Sequence, residues 1–138
     1  MNLPVNSVGG NPQIPGIYAE TFIPDQLIAG RHPLVTDSVT VLAGQAFPRG
    51  AVLGRITASG KYVLALAAAA DGSQNPAVVT VDNVDATAGD VNAGVYLAGE
   101  FNGAAMTLGT GITIAAAAAA LRPLSIYVKG SVSAADPT

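Results

Sequence analysis

The sequence contains no cysteine, no tryptophan, one histidine and only six basic residues. Without cysteine, disulfides and thiolate metal sites are excluded, and the chain suits a reducing cytosol without requiring one. A single histidine also excludes metal centres built on several imidazoles. None of the six bases falls between Tyr62 and Leu121, an interval that carries Asp71, Asp82, Asp85, Asp90 and Glu100. Nucleic-acid-binding domains concentrate positive charge to release phosphate counterions. At a net charge of -3 and a pI near 4.7 no direct nucleic-acid contact is expected. Long apolar runs are missing too: residues 62–70 and 114–121 are the longest, far short of the ~20 that span a bilayer. The N-terminus shows no basic stretch followed by an apolar core, so no signal peptide is expected. These absences describe a soluble, unprocessed chain that does not enter a membrane.

What is present fits one domain, because 138 residues lie within the usual size of a single domain. Half of the residues are hydrophobic but only 5% are aromatic. Much of the apolar content is alanine, which buries little area per residue, so a thin core is expected. Domains of that kind often gain stability by associating.

The first 35 residues differ from the rest. They hold Pro4, Pro12, Pro15, Pro24 and Pro33, five of the nine prolines, together with Gly9, Gly10, Gly16 and Gly30. Proline lacks an amide donor and restrains the residue before it, so no regular element can run far here. Yet Ile14, Ile17, Tyr18, Phe22, Ile23, Leu27 and Ile28 are apolar, and a solvated tail has no use for them. Residues 1–35 either pack on their own domain or form an extended arm that orders on a partner.

From Thr36 onward the pattern is that of β-structure. Val39 and Val41 alternate with Ser38 and Thr40, the period of a strand with one buried face. Residues 47–50 (FPRG) form a turn. Residues 51–57 (AVLGRIT) follow as a strand in which Gly54 marks a bulge or a close backbone approach. Ser59 and Gly60 reverse the chain into residues 61–66, and further strands are expected over 77–81, 94–98 and 125–132. Six consecutive alanines, 115–120, give the one convincing helix, extended by Leu121 and Arg122 and stopped by Pro123. Arg122 suits the negative end of its dipole. Residues 133–138 are expected to fray. The fold class is therefore mainly β: a small β-rich domain over residues 36–132, one short Ala-rich helix, and an N-terminal arm over residues 1–35.

Chemistry is hard to find. His32 stands beside Pro33 in the arm, where a loop or contact role outweighs a catalytic one. Asp82, Asn83 and Asp85 with Asp90 form the one acidic cluster, without the glycine and glutamate spacing of an EF-hand loop. Such residues also favour turns because their side chains bond nearby backbone, and the turn reading is preferred. Gly109-Thr110-Gly111 lacks the lysine and the spacing of a phosphate-binding loop. Arg49 and Arg55 are assigned to solvated surface. No catalytic residue, cofactor or metal is expected.

Read as strings, several segments resemble the lambda-type bacteriophage head decoration protein family. They are GQAFPRGAVLGRITASGKYV (44–63), VDNVDATAGD (81–90), VYLAGEFNGAAMTLG (95–109) and ALRPLSIYVKG (120–130), with TFIPDQLIAGRHPLVTDSVTV (21–41) leading in. They occur in order, without large gaps, over residues 21–130. Two departures are visible: Pro123 and Ser125 replace the helix-compatible alanine and the glycine expected there, and Gly103 replaces a larger polar residue. The resemblance implies a β-clip-like or β-barrel-like fold and a homotrimer, made in the host cytoplasm, that binds the major capsid protein on the outer surface of the expanded head. The arm would then hold the shell through Ile14, Ile17, Tyr18, Phe22 and Ile23. A small β-rich ligand-binding or enzyme-accessory domain would share the strands but needs a pocket with converging polar groups. An ice- or surface-binding protein, suggested by the Ala and Thr content, would show repeats, and none is present.

Overall fold

A computed structural model describes residues 26–130. Eight strands are formed: β1 (Val35–Val41), β2 (Ala46–Phe47), β3 (Val52–Arg55), β4 (Tyr62–Leu64), β5 (Pro76–Thr80), β6 (Val84–Asp85), β7 (Val91–Asn102) and β8 (Ile126–Lys129). The helix α1 spans Ile114–Leu121 and continues as a 3-10 turn over Arg122–Leu124. The main sheet runs β1-β4-β3-β5-β7-β8, and an additional β1–β7 pairing closes its first five strands into a barrel. The expected β-rich domain with one short Ala-rich helix is thus met in its barrel form. No helix among the described residues is long and apolar enough to cross a membrane.

Closure creates two cores. Inside the barrel lie Val41, Phe47, Ala51, Leu53, Val78, Val84, Ala86, Ala93 and Val95. Between the barrel wall and α1 lie Leu27, Val52, Val79, Tyr96, Phe101, Ala117, Leu121 and Ile126. Successive side chains of a strand face opposite ways. The adjacent buried pairs Val52/Leu53, Val78/Val79 and Val95/Tyr96 therefore serve both cores from one stretch of backbone. That explains why these strands read as continuous apolar runs rather than alternating ones. A five-strand barrel is narrow, and several of its interior positions are alanine.

Local chemistry sets the boundaries. Gly54 sits at the register shift between β3 and β5, and a Cβ there would overlap the backbone carbonyl of Ser73. Bulge and close approach, offered as alternatives, coincide. Thr113 caps α1 by accepting the Ala116 amide at 3.1 Å. The α-helix stops at Leu121, and Pro123 is accommodated in the 3-10 turn after it. Ser125 then takes φ 66°, the only non-glycine residue with positive φ among those described. This is where the family resemblance led to glycine, and a left-handed serine costs roughly 1–2 kcal/mol.

Four expectations need correction. The strand placed at 94–98 is twelve residues long, because Gly94 and Gly99 lie within it instead of ending it. Gly99, at φ 152°, lies so close to Leu34 and the Phe101 ring that a Cβ would meet both within 3 Å. Strand 125–132 is Ile126–Lys129 among the described residues. The acidic stretch 82–85 contributes β6, paired with β2 through Ala46↔Asp85 and Phe47↔Val84. Two-residue strands carry no period for a sequence to reveal. Finally, Arg49 is half-buried and not a freely solvated side chain: its guanidinium donates to the Val81 carbonyl and to the Tyr96 hydroxyl at 3.3 Å. It also lies 5.9 Å from the Tyr96 ring centre. Arg55 is exposed, as expected.

Substituting Gly54 with Ala should lower unfolding stability by about 3 kcal/mol or more, since backbone rather than a flexible side chain must yield. Urea denaturation followed by circular dichroism measures this, and an unchanged midpoint contradicts the close approach.

Candidate functional site

The functional question centres on where the chain enters and leaves the barrel. Leu27 is buried, its carbonyl accepts the Asn102 amide at 2.8 Å, and the Ala29 amide donates to the Glu100 carbonyl at 2.9 Å. Ile28 bridges Phe101 in antiparallel fashion. The other end of the described chain pairs with the same residues, in parallel: Glu100↔Tyr127, Phe101↔Val128 and Asn102↔Lys129. The described chain therefore begins and ends on either side of the last residues of β7. Of the arm expected over residues 1–35, the described part packs against its own domain. Ile14, Ile17, Tyr18, Phe22 and Ile23 lie outside the described residues, as do residues 133–138.

The surface around this corner is apolar with a charged rim. Leu34, Val35, Leu97, Leu124 and Tyr127 are exposed large hydrophobic residues. The His32 ring meets Tyr127 edge-on at 5.2 Å, which gives the lone histidine the contact role expected of it. An open groove of about 490 Å³ runs between α1 and β8, over Ala115, Ala118, Ala119 and Val128, with Arg122 at its rim. Its carboxylate is already engaged, since Glu100 pairs with Lys129 at 3.2 Å. The hydrogen bond from Lys129, aided by the backbone amides of His32 and Arg31, holds the Glu100 carboxyl below its ordinary value against a smaller desolvation effect.

The acidic cluster behaves as turn chemistry. Asp85 accepts from the Thr87 hydroxyl and amide, and both bonds lower its pKa, the hydroxyl bond more. Asp90 pairs with Lys61 and accepts the Ala43 amide at 2.8 Å. It thereby ties the short β1–β4 seam of the barrel, Val41↔Tyr62. Its pKa is lowered, first by the hydrogen bond from Lys61. Among the described residues no three His, Cys, Asp or Glu side chains are grouped to hold a metal ion.

Sequence reasoning did not single out Glu100. The available signal was one carboxylate inside the otherwise apolar VYLAGEF run. Its partners, from Gly30 to His32 and at Lys129, are too distant in the chain for spacing to reveal.

Over residues 17–127 the sequence matches the family described as Bacteriophage lambda head decoration protein D. The chain belongs to this family. Members are non-catalytic capsid-associated proteins, and this protein is accordingly a structural, non-enzymatic component of the phage virion surface. The match spans the whole barrel and starts ahead of it, at Ile17, so it includes Tyr18, Phe22 and Ile23. No curated protein matches the chain.

Stability should fall with acid in a definite direction. The carboxylates of Asp71, Asp85, Asp90 and Glu100 all have lowered pKa values in the folded chain. Near their unfolded values, ~4, the unfolded state then binds more protons. Their contribution is complete above that pH and is lost as pH falls through the lower folded values. Urea midpoints measured from pH 6 to pH 2.5 should be level at first and then decline below about pH 4.5. Flat midpoints across the range contradict these interactions.

Proposed function

We propose that the protein cements the exterior of the expanded phage head as a homotrimer, using residues 1–25 as an arm that binds the major capsid protein. The observation that carries this reading is the family match together with the anchoring of Leu27 at the β7 corner. An arm must be fixed at its base before its tip can add affinity. The base here is a buried leucine, two backbone hydrogen bonds and an isolated bridge. The exposed apolar corner beside it favours coverage by another surface, since contiguous apolar patches mark interaction sites.

Packaged DNA pushes outward on the shell, so a cement protein gains by joining several capsid subunits. Three linked weak contacts can raise avidity by ~10²–10⁴ over one contact when geometry permits simultaneous engagement. The arm has reach: 25 residues at ~3.3 Å each extend on the order of 80 Å. Strand addition to an exposed capsid edge would supply backbone hydrogen bonds, with pockets for Ile14, Ile17, Tyr18, Phe22 and Ile23. Ordering costs roughly 1–2 kcal/mol per residue fixed. Burial returns about 1.5–3 kcal/mol for each large apolar side chain, so several must be buried together.

Removal of residues 1–25, which leaves Leu27 in place, should preserve the circular dichroism spectrum but abolish co-sedimentation with expanded shells. Equal binding by both chains would show that the barrel alone holds the shell. Sedimentation equilibrium of the full chain at micromolar concentration should give about three times its 13.7 kDa. A species that stays monomeric, free and on shells, contradicts the trimer.

A further inference from the structure

We propose that Asp37 is an autoinhibitory residue of the β1 edge: its carboxylate occupies the backbone donor through which β1 would otherwise pair with β1 of a second copy of this chain. β1 meets β7 along its whole length, from Val35↔Ala98 to Val41↔Val91. On its other side it meets β4 only at Val41↔Tyr62. The Leu42 amide, just past β1, donates to the Tyr62 carbonyl at 3.0 Å. Because the backbone groups of alternate residues point the same way, Thr36, Ser38 and Thr40 direct theirs to this second side. Among the described residues no strand receives them there. Val35, Thr36, Asp37 and Ser38 are all exposed.

An open edge of this composition is a template for another strand. VTDSVTV is rich in β-branched residues and has no proline, the kind of segment that pairs with other chains unless something blocks it. Two copies of β1 placed antiparallel about a two-fold axis bring Ser38 opposite its own counterpart and Thr36 opposite Thr40. Each edge is used once, so the pair closes.

The central donor of that arrangement is already taken, since the Ser38 amide donates to the Asp37 carboxylate at 2.7 Å. Asp37 stands on the same face of β1 as Val39 and Val41, because side chains alternate. Val41 is buried in the barrel interior and Val39 packs against it, so a charge sits where the strand's pattern calls for an apolar residue. No cation among the described residues pairs with Asp37. An incoming β1 would find the Ser38 amide occupied and would bring a second carboxylate diagonally across the seam. Inward-facing charges of this kind keep strand edges apart. In a component of the virion surface, self-pairing in solution would compete with coating the shell.

Sedimentation equilibrium of full-length variants tests the proposal, and comparison with the parent does not depend on whether the parent is a trimer. Asp37→Val frees the Ser38 amide and completes the apolar alternation, so its mass should rise with concentration towards twice that of the parent species. Asp37→Asn keeps an acceptor oxygen and should sediment like the parent. Asp37→Val/Ser38→Pro has no amide at the centre of the edge, a place where proline is tolerated, and should return to parent behaviour. Amide exchange at Thr36, Ser38 and Thr40 should slow several-fold as the concentration of Asp37→Val is raised, and not in the parent. Thermal midpoints confirm that each variant remains folded. Parent-like mass for Asp37→Val overturns the proposal. Association that persists in Asp37→Val/Ser38→Pro also overturns it, by placing the contact elsewhere. Association of Asp37→Asn as strong as that of Asp37→Val would show that the occupied amide is not what closes the edge, and would overturn it too.

Discussion

The fold depends on a single strand used along its whole length. β7 pairs with β1 over residues 91–98, with β5 through Tyr96 and Val95, and with β8 over its last four residues. It also receives the entering chain at Glu100–Asn102. Alternation of its side chains lets one strand line the barrel interior with Ala93 and Val95 and the outer core with Tyr96, and a register shift between Tyr96 and Ala98 breaks that alternation before Phe101, which joins Tyr96 in the outer core. Its partners change near Gly99, which takes φ 152°. Pairing with β1 ends next to this glycine and pairing with β8 starts at it. Barrel closure and the location of both described chain ends follow from this sharing of one strand.

The two cores divide the stabilising work unequally. The barrel interior is filled by alanines and valines with Leu53 and Phe47, whereas the outer layer holds more of the large side chains, Phe101, Leu121, Ile126 and Tyr96. α1 contributes Ala117 and Leu121 to that layer and leaves Ala115, Ala116 and Ala119 exposed. A helix of eight residues has little stability of its own. It is held by the Thr113 cap at one end and at the other by the chain's return into β8. The polar groups that are buried have partners. Thr80, fully buried, accepts the Ala51 amide at 3.0 Å and donates to the Pro48 carbonyl at 3.2 Å, which pins the turn carrying Arg49.

These features suit a structural component of a virion. The described surface carries an open groove beside α1, Asp85, Asp90 and Glu100 are engaged in turn hydrogen bonds or ion pairs, and His32 packs on Tyr127. The family assignment makes the protein a structural component of the virion surface.

How much of this was legible beforehand can be argued element by element. The mainly β class, the Ala-rich helix, its end near Pro123 and the special status of Gly54 follow from local chemistry. Proline removes a donor, alanine favours helix, and glycine inside an apolar run marks a place where a side chain does not fit. The family could be read because it is carried by contiguous strings. The length of β7 was not legible, since Gly94 and Gly99 signal turns until neighbouring strands occupy both of its edges. Nor was the role of Arg49, because the Val81 carbonyl and the Tyr96 ring reach it only after the barrel has closed. For residues 1–35, composition gave the Pro-rich character but not where the described part attaches: Leu27 and Glu100 are 73 positions apart, and no period or spacing links them. Sequence determined the conformations each short segment could adopt. The tertiary structure decided which segments met, because pairing across a closed barrel joins residues whose separation along the chain carries no local signal.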